Sequence, residues 1–286
     1  MSSAKDKTIS VGGRAFVNGV MMCSMSRISV AIRDENDVIK VTKRNYNSIT
    51  NKVKILGLPV IRGNVRIVES MVMGSRVISS YLKNTSSKKT KTKAIARRFL
   101  TIIVIFAFVY LAMIYSINFS RFISIENHIM AAMVFYLSFL FLMFFIIYLY
   151  SFTPRGRKIF QYHGAEHRTI HCFEKGEILT IENVKRHSNL HPRCGSSVVV
   201  FFIALNLIAT PFTIRLTSVW SNLLALPLLF GISYEFMKLT FVYKENKLAR
   251  LIIFPGLALQ KITTKNPDDR QIEVAIAALA DVVNET

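Results

Sequence analysis

The sequence predicts an α-helical integral membrane protein with about four membrane segments, joined to a small cytosolic α+β N-terminal domain and followed by a C-terminal soluble helix. Three observations predict it. Hydrophobic residues make up 51% of the 286, although the chain carries a net charge of +20. Long uncharged apolar runs occur in two pairs. Nearly all of the 37 lysines and arginines fall on one side of those runs.

Residues 1–54 read as a cytosolic β-hairpin domain after a polar tail at 1–7. Gly12, Gly13 and Gly19 punctuate an apolar stretch, and Arg27 to Arg33 alternates with the period of two that a strand requires. Asp34-Glu35-Asn36-Asp37 is a turn cluster, and Val38 to Val41 begins the returning strand. Gly12-Gly13-Arg14 lacks both the lysine spacing of a phosphate loop and the dinucleotide glycine spacing, so its glycines are assigned to strand turns. Residues 55–98 read as an amphipathic helix, Ile55 to Leu82, and a basic linker. Arg62, Arg66, Glu69 and Arg76 recur on one face and Ile61, Val65, Val68 and Val72 on the other. The acid-free run Lys83 to Arg98 turns that face toward anionic headgroups of a lipid bilayer. No base-reading motif accompanies the charge, which argues against nucleic acid as a partner.

Residues 99–152 form the first predicted transmembrane hairpin, with spans at Phe99–Ser120 and Ile129–Phe152. Residues 196–236 form a second, at Ser196–Ile214 and Leu216–Tyr234, shorter and interrupted by Pro211 and Pro227. It is either a pair of spans or a re-entrant hairpin. Only Arg121 and Arg215 fall beyond the spans, so both termini and residues 153–195 are expected in the cytosol. The polar N-terminus carries no early apolar run, and no cleavable signal is expected. Cysteines on that side are expected as thiols. In residues 237–286, Leu251–Leu259 is too short to span and is read as interfacial. From Asn266 a helix carrying Ile272, Val274, Ile276, Ala277 and Leu279 needs a partner, most simply the N-terminal domain.

The chemistry concentrates in the loop 153–195. On a helix, His163, His167 and His171 recur at steps of four, with Glu174 between them and Glu166 on the flank. His163-Gly164-Ala165-Glu166-His167 reads as H-x-x-E-H, in which two histidines hold a metal and the glutamate serves a water. His191 and Cys194, in the turn His191-Pro192-Arg193-Cys194-Gly195, are further ligand candidates, as is Glu235 near the end of the fourth span. Lys238 is the alternative partner for Glu235. The set suits a divalent metal, zinc before others, with His171 and Glu174 as supports for the ligands. Without a metal, the same stripe is a row of buried polar groups satisfied by hydrogen bonds.

Several stretches together resemble the YqhQ family of bacterial membrane proteins, a domain of unknown function described as a predicted metal-dependent enzyme. They are Gly12 to Met22, His163 to His167, His191 to Gly195, Gly231 to Glu235, Pro255-Gly256-Leu257 and Gln271 to Ile276. The resemblance implies a place in the bacterial cytoplasmic (inner) membrane. Family members usually show Gly-Gly-Gln and a glutamate before the next glycine, where this chain has Arg14 and Asn18. Asn18 cannot take up a proton as a base.

The function expected from these residues is a metal-dependent hydrolase at the cytosolic membrane face, with Glu166 as the catalytic group. Arg155, Arg157, Lys158, Arg168 and Arg193 favour an anionic lipid or phosphorylated substrate. The alternative is a membrane scaffold or assembly factor with a structural metal or polar site and no catalysis. A transporter is the weakest reading, since the first two spans carry no charge.

Overall fold

The structure is a computed structural model that describes residues 11–24, 26–85, 128–213 and 219–283. Four strands, β1 (Gly12–Phe16), β2 (Gly19–Cys23), β3 (Arg27–Arg33) and β4 (Ile39–Asn45), form an antiparallel meander in chain order. Both faces of β3 are buried, because the sheet is covered on two sides. Met21, Ile28, Val30 and Ile32 point to one side and pack with Met73. Val20, Met22 and Ala31 point to the other.

Nine α-helices follow among the described residues: α1 (Ile49–Lys52), α2 (Ile61–Thr85), α3 (His128–Phe152), α4 (Pro154–Glu174), α5 (Ile181–Lys185), α6 (Gly195–Thr213), α7 (Val219–Val242), α8 (Lys247–Thr263) and α9 (Asp269–Val283), with a 3-10 turn at Lys54–Gly57. Helix α9 lies on β2 and β3, and its Ile272, Val274, Ala275, Ala278, Leu279 and Val282 are almost entirely buried. Tyr162, Ala165 and Ile170 of α4 join the same core. Arg33 fastens the contact, bonding the Glu273 carboxylate at 2.6 Å and the Arg270 carbonyl at 2.9 Å.

The expected four-segment membrane architecture is overturned. Among the described residues one helical stretch, Leu224–Val242, is long and apolar enough by itself to cross a bilayer. Tyr136–Phe152 qualifies only in company with α4, from which it is bent by 98°, and Gly195–Ala209 is shorter. The expected span Phe99–Ser120 lies outside the described residues. The physical reason is length: a crossing needs about 20 apolar residues, and Tyr136–Phe152 and Gly195–Ala209 each fall short of it. Thr153 accepts a hydrogen bond from the Gly156 amide and Pro154 occupies the first turn, so a new helix starts where the first ends. The architecture is a mixed one, with helices packed on and beside an antiparallel sheet.

Two smaller expectations also change. The N-terminal hairpin is a four-stranded sheet, and Gly12-Gly13 sits inside β1 rather than at a turn. Glu69 of α2, expected on the face turned to lipid headgroups, is buried instead, and its oxygens accept from Tyr46 Oη (2.6 Å), Ser48 Oγ (2.7 Å) and the Ile49 amide (2.7 Å). Helices α2 and α7 cross closely because glycines face their partners: a Cβ on Gly63 would strike Tyr234, and one on Gly231 would strike the Val60 carbonyl.

Candidate metal centre

Helix α4 carries the histidine stripe, and its end is fixed by Gly176, whose φ of 70° suits glycine. Asn189 in the loop below turns its backbone carbonyl to His167 Nδ1 at 2.5 Å, and the Thr263 carbonyl at the end of α8 receives His163 Nδ1 at 2.8 Å. A carbonyl can only accept, so in both rings Nδ1 carries the proton and Nε2 is left for another partner. That arrangement is the one metal-binding histidines adopt, the outer nitrogen being held by a carbonyl.

Cys194 meets these rings from the other side. Its Sγ lies 3.3 Å from His163 Nε2 and accepts from Ser196 Oγ at 3.1 Å. Ligand atoms of His163, His167 and Cys194 all fall within 4.8 Å of one another. A nitrogen and a sulfur bound to one tetrahedral zinc stand about 3.5 Å apart, so this spacing approaches that of a zinc site. Burial disfavours charge on both groups, yet their mutual attraction prevails. His163 is raised to about 9, and the Cys194 thiol is held well below its ordinary value by His167 and His163.

Glu166 stands beside this trio on the next turn of α4. It is 4% exposed, and its Oε2 has no hydrogen-bond partner. Burial raises its pKa, opposed by His163, His167 and Arg14. A buried carboxylate oxygen without a donor calls for a water or a cation. Gly13 of β1 packs flush on this side chain, since a Cβ there would come 2.6 Å from Glu166 Oε1.

The remaining candidates lie elsewhere. His191 inserts between the rings of His167 and His171, with ring centres at 5.7 and 4.5 Å. Its Nδ1 accepts from the Arg193 amide, so Nε2 carries the proton and donates to Glu174 at 3.2 Å. His171, Glu174 and His191 thus form a second group of possible ligands, and Cys172, Glu177 and His187 a third. Neither Glu177 nor His187 was marked by sequence spacing. Glu235 is apart from all three, in a bidentate pair with Arg62 of α2 rather than with Lys238. Gln260 of α8, also unmarked in the sequence, is fully buried and clamps the turn by bonding both the amide and the carbonyl of His191. Arg168 is likewise structural, tied to Asn189, the Lys185 carbonyl and Asn266.

Residues 58–285 match the model of a family described as "Protein of unknown function (DUF1385)". The chain is also 32% identical to an "Uncharacterized protein YqhQ" of Bacillus subtilis (strain 168), over 95% of this chain and 92% of that one. No solved structure matches.

Proposed function

Taking as premise that the chain belongs to the DUF1385 family of proteins of unknown function, we propose that it is a metal-dependent hydrolase working at the cytosolic face of a membrane. The observation that carries the proposal is the grouping of three ligands, His163, His167 and Cys194, beside a buried carboxylate oxygen with no partner. Three protein ligands leave the fourth position of a tetrahedral ion open, as in catalytic rather than structural sites. A divalent cation, zinc by its preference for imidazole and thiolate, would supply Lewis acidity when bound there. His163 and His167 are oriented for it by carbonyls, and Cys194 is prepared as thiolate by the two histidines. Glu166 takes the proton of the attacking water and returns it to the leaving group. Burial, which raises this carboxyl, suits both halves of that task.

The membrane part of the proposal draws on Leu224–Val242 and on the apolar surface left exposed by α3 and α7, including Phe141, Phe145, Leu224 and Leu228. A second reading, a scaffold or assembly factor whose metal only fastens the turn 191–195 to α4, is favoured by the burial of His167 and Cys194.

The test is metal content of the detergent-purified protein, compared with a His163→Ala/His167→Ala variant. Near-stoichiometric metal that disappears in the variant supports the centre. Metal absent from both after reconstitution with each candidate ion sinks it. Glu166→Gln then separates the two readings: a hydrolase keeps its metal and loses turnover, whereas a scaffold loses neither metal nor assembly.

A further inference from the structure

A cleft of about 560 Å³ opens between β1, β2, α2 and α7, on the opposite side of Gly13 from the metal centre's glutamate. Its size is that of a small-molecule site. Three cations stand on it, Arg66, Arg193 and Lys238, against one carboxylate, Glu69. That carboxylate is held by neutral donors, Tyr46, Ser48 and the Ile49 amide, and keeps its charge, so the lining itself carries three cations to one anion. Arg66 approaches Tyr234 Oη at 3.5 Å, and Arg193 reaches Glu174 at 3.3 Å while lying over the Phe241 ring. The rest of the lining is mostly apolar, with Met21, Met73, Met237 and Ile28. A cationic rim over an apolar floor selects an amphiphile with an anionic head.

Two positions give the cleft a direction. Tyr234, Met237 and Lys238 belong to the same helical stretch, Leu224–Val242, that is apolar enough to enter a bilayer, and its Leu228, Ile232, Leu239 and Val242 are exposed. The cleft therefore borders a helix whose exposed side is apolar, the neighbourhood an acyl chain favours. Gly12, Gly13 and Arg193 also line the cleft, Arg193 lying over Phe241 of α7 within electrostatic reach of Lys238, Gly13 touching Glu166, and Arg193 preceding Cys194 in the chain. A head group held by Arg193 stands at the wall behind which the metal ligands lie.

We propose that this cleft binds a phosphate-headed lipid, with Arg66, Arg193 and Lys238 on the phosphate and Met21, Met73 and Met237 on the chain. As a substrate site it rests on the hydrolase reading; as a binding site it stands without it. Binding of dioctanoyl phosphatidic acid to the detergent-purified full chain, counted by native mass spectrometry, tests it. The expected result is one lipid bound. Binding falls at least tenfold in Lys238→Gln, where the side chain is exposed and the fold is kept, and in Met73→Trp, which fills the floor. Metal content stays unchanged in Lys238→Gln. Glycerol 3-phosphate and dioctanoylglycerol each bind at least tenfold more weakly than the lipid. Equal binding of either fragment, or wild-type affinity in both variants, overturns the proposal. A metal-loaded protein that binds the lipid and hydrolyses nothing overturns the hydrolase reading alone. Hydrolysis of another substrate without lipid binding overturns the cleft alone.

Discussion

The backbone of Gly13 lies against the side chain of Glu166, so close that a Cβ on the glycine would stand 2.6 Å from Oε1 and 2.7 Å from Cδ. The neighbouring Gly12 has no atom within 4 Å of the same position. Gly13→Ala should therefore displace Glu166 and lower stability by roughly 1–3 kcal/mol, the usual cost of overpacking. Gly12→Ala should stay within about 0.5 kcal/mol of the parent. Equilibrium unfolding of the two variants checks this contrast; equal effects would show that Glu166 can move aside freely.

Glu235 belongs to a different unit from the metal ligands, paired with Arg62. Glu235→Gln should leave metal stoichiometry unchanged and reduce the thermal midpoint by loosening α2 from α7. Elemental analysis beside a melting curve reads both. Loss of metal in this variant would return Glu235 to the ligand set.

The buried carboxylate of Glu69 makes stability depend on acid. Burial pushes its pKa up, but the bonds from Tyr46, Ile49 and Ser48 and the charge of Arg66 outweigh burial and hold it below its ordinary 4.5. A depressed carboxyl contributes its stability above the unfolded value and loses it as the pH falls through the folded value. The melting temperature should thus drop below about pH 4.5 in the wild type. In Glu69→Gln stability should start lower, by roughly 1–3 kcal/mol of lost hydrogen bonding, and the melting temperature should fall less steeply over the same range.

Helix α9 contributes through Leu279, which is fully buried between the helix and the sheet. Leu279→Ala should cost about 2–5 kcal/mol, transfer and cavity terms together. A denaturant midpoint that does not move would mean that α9 is not part of the cooperative core.

Local patterns carried much of this organisation. The Thr153-Pro154 start of α4, its Gly176 stop and the cap from Thr180 to Asn183 follow from residue chemistry at neighbouring positions. Steps of four put His163 and His167 on one helical face for the same reason. What the sequence concealed was pairing at a distance. Cys194 joins those histidines while His191, three residues earlier, turns away to Glu174, a division set by the Arg193 amide and by Gln260. Gly13 reads as a turn glycine until Glu166 is seen against it. Apolar content alone predicts four membrane segments, but among the described residues only Leu224–Val242 is by itself long and apolar enough to cross a bilayer.

The link between Arg33 and Glu273 spans 240 residues, and the same core unites the earliest strands with the last helix. At a synthesis rate of about 5–20 residues per second, roughly 10–50 seconds separate the emergence of these partners from the ribosome. Throughout that interval β2 and β3 have one apolar face without its cover. The nascent sheet is therefore a natural client for a chaperone, and its release is timed by the arrival of α9.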